Sequence, residues 1–300
     1  MFSGIAAGFF SALFMSVSYV FSRAFIRKYK DPVRLSIFSQ LVMTCGGLAA
    51  LITSLFFIRI PFDNGKLYLY IFGENATFII GQTSFFILLK KVEATRTSSL
   101  LGLKLIPLAV IASFLGQDLS LWQWLAIVLC SLAAAGMNLT GLAMSPVSLF
   151  WLFTSVIFYA LCDICLGGLM QVIQGSNTFM KSVAGMGVCF TSLGLISMMF
   201  LLRYKPSKRE LFDVIPYSFC YFSSILLLLV CFCLVGVVFG NILQSGRGII
   251  SIVLGIILLQ LGWEKTEGKV PAKIWVQRLL MAFLMLCAMT LYTVAFTAVP

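Results

Sequence analysis

The 300-residue chain contains no histidine, which removes the commonest general acid-base and a favoured metal ligand. Charge is scarce as well: Asp, Glu, Lys and Arg make up 10% of the residues, and only ten are acidic. Polar stretches long enough for a soluble domain are also missing, since the breaks between apolar runs extend to no more than residues 203–210 and 264–273. No nucleophile-base pair and no cluster of acids stands near a run end. The expectation is therefore a protein that is not an enzyme, with no catalytic residue, metal or cofactor.

What is there is apolar. Hydrophobic residues make up 61% of the chain, far outside the ordinary soluble range. A helix needs about 20 apolar residues to cross a hydrocarbon core of roughly 30 Å. The runs here are long and unbroken instead of alternating, so they are predicted as helices and not barrel strands. Ten spans are expected: 2–22, 35–58, 67–89, 97–115, 121–143, 148–170, 178–202, 214–238, 243–263 and 274–297. Punctuation between them is of the expected kind, such as Asp31-Pro32, Asp63-Asn64-Gly65 and Ser145-Pro146.

The net charge of +11 does not point to nucleic acid, because the basic residues lie in short loops beside the spans. Assigning the loops alternately to two faces puts sixteen of the 21 Lys and Arg on one face and two, Arg59 and Lys66, on the other. The rule that cytoplasmic loops are basic makes the first face cytoplasmic and both termini extracytoplasmic. A bacterial inner membrane is the expected location. The run from Phe2 has its positive charges after it, as a retained first span does and a signal peptide does not. Nine cysteines, mostly inside apolar runs, read as packing residues. Cys162 and Cys165 form a C-x-x-C inside a span, outside any βαβ setting that would suggest redox chemistry.

The two halves repeat. Residues 10–14 match 154–158 at an offset of 144, Arg34 falls opposite Lys181 at 147, and Ala94, Thr95 and Gly116 fall opposite Gly240, Asn241 and Gly262 at 146. A duplicated unit of five spans inserts in opposite senses because five is odd. The predicted fold is an all-α integral membrane protein of ten helices in two inverted five-helix repeats, residues 1–143 and 148–300, and such repeats place a substrate site at their interface near mid-membrane.

The residues around the third loop carry a further likeness. Leu88-Leu89-Lys90, then Ala94-Thr95-Arg96-Thr97-Ser98-Ser99, Leu103, Pro107, Gly116-Gln117-Asp118-Leu119-Ser120 and Gln123-Trp124-Leu125 resemble the hallmark of the EamA-type drug/metabolite transporter superfamily. Gln117 stands where the family usually carries Glu, and Ala126 where it often carries Gly. The resemblance covers essentially all ten spans and implies a 5+5 inverted-repeat carrier working by alternating access.

Four ionisable residues lie well inside spans: Glu74, Lys104, Asp163 and Arg247. An ammonium near mid-bilayer costs roughly 2.5–3.5 kcal/mol on insertion scales. At 1.5 Å per residue, Lys104 lies roughly 10 Å in from one end of its span and Arg247 roughly 6 Å in from the opposite face. The repeat sets Arg247 opposite Leu101, one turn from Lys104, so the two cations are expected to face a central cavity and to favour a carboxylate or phosphate. That arrangement is similar to the triose-phosphate translocators of the same superfamily, in which basic residues of the fourth and ninth spans hold phosphate, and the likeness is carried to Lys104 and Arg247 alone. The competing reading makes Glu74 and Asp163 structural counter-ions. Carboxyls in low dielectric favour the neutral form, which makes Glu74 and Asp163 candidates for coupling as well. Asn75, Gln82, Ser98, Gln244 and Ser245 complete the candidate substrate-binding set, though serines in spans more often join helices. Lys181 reads as an anchor whose stem reaches the interface.

The expected function is secondary transport of a small polar metabolite, anionic or zwitterionic, such as an amino acid, organic acid, sugar phosphate or nucleotide derivative. The bilayer and the substrate are the expected partners, with a proton or counter-substrate for coupling and no nucleic acid. The rival readings are a membrane enzyme acting on a lipid-linked substrate and an exporter of cationic or lipophilic compounds.

Overall fold

The structure, a computed structural model, describes residues 1–92, 94–136, 144–260 and 272–297. Its described residues are mostly helical, and five of the helices begin where a polar side chain accepts from free backbone N–H groups. The first helix, α1 (Phe2–Tyr29), carries Arg27 and Lys28 in its last turn, where cations suit the helix dipole, and stops at Lys30 in the left-handed conformation. Asp31 then caps α2 (Pro32–Leu55), accepting from the N–H groups of Val33 and Arg34 at 3.0 and 3.2 Å, with Pro32 in the first turn. Asn64 caps α3 (Gly65–Leu89).

The fourth segment is not one helix. It runs as α4 (Ala94–Leu100), a 3₁₀ turn (Leu101–Lys104) and α5 (Leu105–Phe114). Pro107 supplies the reason: it has no N–H for the Leu103 carbonyl, and the tighter turn falls just before it. After α6 (Leu121–Gly136) comes α7 (Pro146–Val172), with Ser145 as its cap and Pro146 at its first position. Asn177 caps α8 (Thr178–Met199), and Ser207 with Glu210 forms a capping box on α9 (Lys208–Val235).

The ninth segment is interrupted in its turn. Gly236, at φ +84°, ends α9 and starts α10 (Val237–Ser245), and the chain breaks again at Gly246 before α11 (Arg247–Gln260). A positive φ is open to glycine at little cost. The predicted eighth span, 214–238, is thus shifted toward its N-terminus, and the ninth starts at Val237 instead of residue 243. The last helix is α12 (Ala272–Thr297). Residues 137–143 and 261–263, the predicted ends of the fifth and ninth spans, lie outside the described residues.

Eight described helical segments are long and apolar enough to cross a membrane. The other two predicted spans correspond to α3, which is 25 residues long but contains Lys66, Glu74, Asn75 and Gln82, and to α6, of which 16 residues are described.

Packing follows a simple scheme: α1 lies along α9, α2 along α8, α3 along α7, α6 along α12, and α4 against α11. In lipid, close approach replaces the hydrophobic effect as the main source of helix association. On α1 and α9 the serine hydroxyls exchange bonds across the contact, Ser11 Oγ donating to the Ser224 carbonyl at 2.9 Å and Ser224 Oγ to that of Ser11 at 2.8 Å. Between α2 and α8, Gly187 meets the Leu51 backbone so closely that a Cβ would sit 2.6 Å from its nitrogen. Large side chains such as Phe72, Phe114 and Leu202 project from the exterior.

Candidate functional site

The interruptions of the fourth and ninth segments carry one cation each. Lys104 ends the 3₁₀ turn and Arg247 opens α11, and both are buried. They line one central cavity with about 30 Å³ of free space, enough for a water molecule. Glu74 of α3, Asp163 of α7 and Gln244 of α10 reach the same cavity.

The two cations are held differently. Lys104 Nζ lies 2.6 Å from Asp163 Oδ2 and also donates to Gln244 Oε1 at 3.2 Å, a paired and hydrogen-bonded charge. Arg247 meets Gln244 Oε1 only at 3.5 Å, and its Nε has no hydrogen-bond partner among the described residues. No acid of the described residues lies within ion-pair distance of it. Ser16, whose hydroxyl donates to the Ala12 carbonyl of its own helix at 2.9 Å, lies 3.4 Å from the Arg247 carbonyl. Glu74 is the reciprocal case. Its Oε2 has no partner, and its Oε1 has a thiol contact with Cys162 at 4.0 Å.

Five sequence-predicted residues therefore meet: Glu74, Lys104, Asp163, Gln244 and Arg247. The remaining four lie off the cavity and join helices. Asn75 and Ser192 exchange hydrogen bonds between α3 and α8 at 2.9 and 3.2 Å. Gln82 lies between the hydroxyls of Tyr159 and Tyr217, accepting from the first and donating to the second. Ser98 accepts from Ser251 at 3.1 Å, tying α4 to α11, and Ser245 contacts Cys130 of α6 at 3.0 Å.

Sequence reasoning missed the aromatic wall. Tyr19, Phe78, Tyr159 and Tyr221 line the cavity. Beyond it, toward the Leu89 end of α3, Phe85 packs between Tyr19 and Tyr159, and Phe86 against Tyr217, around the Gln82 hub. Tyr159, half-way along the predicted span 148–170 and far from any interfacial belt, was the available signal.

Beyond this layer the end of the bundle is fastened by ion pairs. Lys28 and Tyr29 both reach the Asp213 carboxylate, the tyrosine hydroxyl at 2.5 Å, and Arg34 binds Glu210 at 2.7 Å. Toward the opposite end a cavity of about 570 Å³ lies among α7, α8, α9 and the turn after α5, with Gln117, Lys181 and Cys233 in its wall. Lys181, expected as an interface anchor, stands in that wall.

Residues 2–139 match the EamA-like transporter family. That matched unit belongs to the drug/metabolite transporter superfamily. No curated protein matches this EamA-like chain. One solved crystal structure is similar to it over 98% of both chains, with a TM-score of 0.64 at 13% identity, a likeness that concerns the fold alone. The family match together with the apolar helices makes this a multi-pass membrane protein.

Proposed function

We propose that this EamA-like protein is a secondary transporter that moves a small polar metabolite bearing an anionic group, by alternating access of two inverted five-helix repeats around the central cavity. Ten membrane segments enter this reading, α4 with α5 and α10 with α11 counting as one broken segment each. The packing scheme supports it. Exchanging the halves maps α1 on α9 onto α7 on α3, and leaves α2 on α8, α4 on α11 and α6 on α12 as pairs of equivalents. Broken segments at the repeat interface are where such carriers bind substrates. The family match, ending at residue 139, stops close to the boundary of the first repeat.

Arg247 carries the substrate reading. A guanidinium buried at mid-bundle without an acid is a standing cost that an incoming carboxylate or phosphate would offset with a forked, charge-assisted hydrogen bond. Lys104 already has Asp163, so its part is to shape the cavity and orient Gln244, which it shares with Arg247. The charge bias of the loops favours a cytoplasmic face at the ion-paired end and an inner-membrane location.

The test is uptake into proteoliposomes from a panel of organic acids, amino acids and sugar phosphates. Wild type should accumulate at least one of them, and Arg247→Gln should lose most of that uptake while keeping its yield and elution profile. Unchanged uptake in Arg247→Gln would refute the assignment.

A further inference from the structure

We propose that the central cavity takes a zwitterion, its anionic group on Arg247 and its ammonium on Glu74. This rests on the reading of the cavity as the transport site. The observation behind it is a pair of orphans: Arg247 Nε and Glu74 Oε2 are both buried, both without a hydrogen-bond partner among the described residues, and both in the wall of one cavity. One is a guanidinium and the other a carboxyl, which a bound ammonium would hold in its ionised form, and the two do not form an ion pair with each other. Lys104 and Asp163 cannot relieve them, being already joined to one another.

A buried polar group without a partner is costly, and a charged one more so. An anion would satisfy Arg247 and leave Glu74 as it was. A cation would do the reverse. A molecule with both charges satisfies both walls at once and adds no net charge to a site surrounded by lipid. The two orphans also sit on different repeats, Glu74 on α3 and Arg247 on α11, so a ligand bridging them would draw the repeats together.

The surroundings of Glu74 suit an ammonium. Phe78, one turn further along α3, lines the cavity with Tyr221, and the two rings lie 6.0 Å apart between centroids. Aromatic faces beside a carboxylate attract a cation as well as an apolar body. The cavity holds about a water molecule in this conformation, so binding must widen it.

The experiment measures thermal shifts and Kd for purified protein with three matched series: α-amino acids, β-alanine and γ-aminobutyrate; their N-acetyl derivatives, which keep only the anion; and their amides, which keep only the cation. Wild type should bind at least one zwitterion about tenfold or more tightly than either derivative, the scale of one hydrogen bond to a charged group. Glu74→Gln should erase the preference over the N-acetyl compound, and Arg247→Gln the preference over the amide. Glu74→Asp, which keeps the charge with shorter reach, should fall between and serves if Glu74→Gln does not fold. If N-acetyl compounds bind as well as the zwitterions and only Arg247→Gln matters, the zwitterion is refuted while the anion carrier stands. If only amides bind, or none of the zwitterions does, the zwitterion is refuted, and binding of amides alone removes the anion carrier too.

Discussion

Removing the ammonium of Lys104 would leave the Asp163 carboxylate buried without a partner, and losing one half of a buried pair costs about 3–5 kcal/mol. Lys104→Met should therefore lower the thermal stability of the purified protein, whereas Lys104→Met with Asp163→Leu should recover most of the loss, because apolar replacement of a whole buried pair is often neutral. A single variant as stable as wild type would show that the pair holds nothing. The ion pair makes any truncation of Lys104, Lys104→Ala included, a test of stability as much as of transport. Arg247 behaves in the opposite sense. Its side chain brings an unsatisfied donor into the interior, so Gln or Met there should leave stability unchanged or raised while binding is lost, the trade expected of a residue kept for function. All four intramembrane charges were legible as exceptions in an apolar sequence. Their partners were not, because which acid meets which base depends on helix rotation, and periodicity within one span does not fix rotation against another.

At the scale of helices, the contacts that hold the bundle are close approaches of small residues. A Cβ on Gly187 would lie 2.6 Å from the backbone nitrogen of Leu51 and 2.8 Å from its Cα, atoms that cannot rotate away. Gly187→Ala should thus cost about 1–3 kcal/mol by overpacking the α2–α8 contact. Gly65→Ala, at the open start of α3 with nothing within 4 Å of the added carbon, should be neutral or stabilising by about 0.4–1 kcal/mol. Melting temperatures in detergent separate the two, and equal effects would mean that the α2–α8 contact yields. The spans themselves were readable from long apolar runs, and the caps Asp31, Asn64 and Ser145 sit where the polar punctuation put them. The interruptions were harder to read. Pro107 disturbs the fourth segment four residues ahead of itself, at Leu103, and nothing in the sequence sets Gly236 apart from the other span glycines, although its positive φ makes it the joint between α9 and α10.

One end of the molecule is fastened by ion pairs and an aromatic layer, and toward the other lies a cavity of about 570 Å³. Asp213 joins α9 to Lys28 and Tyr29 of α1, Glu210 joins α9 to Arg34 of α2, and the tyrosine and phenylalanine layer around Gln82 seals the bundle behind them. In a carrier built of two repeats, admitting substrate at this end requires those bonds to part while the cavity of about 570 Å³ at the far end collapses. A substitution that weakens the fastening shifts the population only by the difference it makes between the two states. Asp213→Asn with Glu210→Gln removes both charges, and Gln at 210 can still serve the capping box of α9, so the helix start survives. Cys233 reports on the outcome because it lines that cavity. In a protein whose other eight cysteines are replaced by serine or alanine, a membrane-impermeant thiol reagent should label Cys233 with the fastening intact and more slowly in the double variant. Faster labelling, or no change alongside unaltered transport, would mean that these ion pairs do not govern which end of the bundle is open.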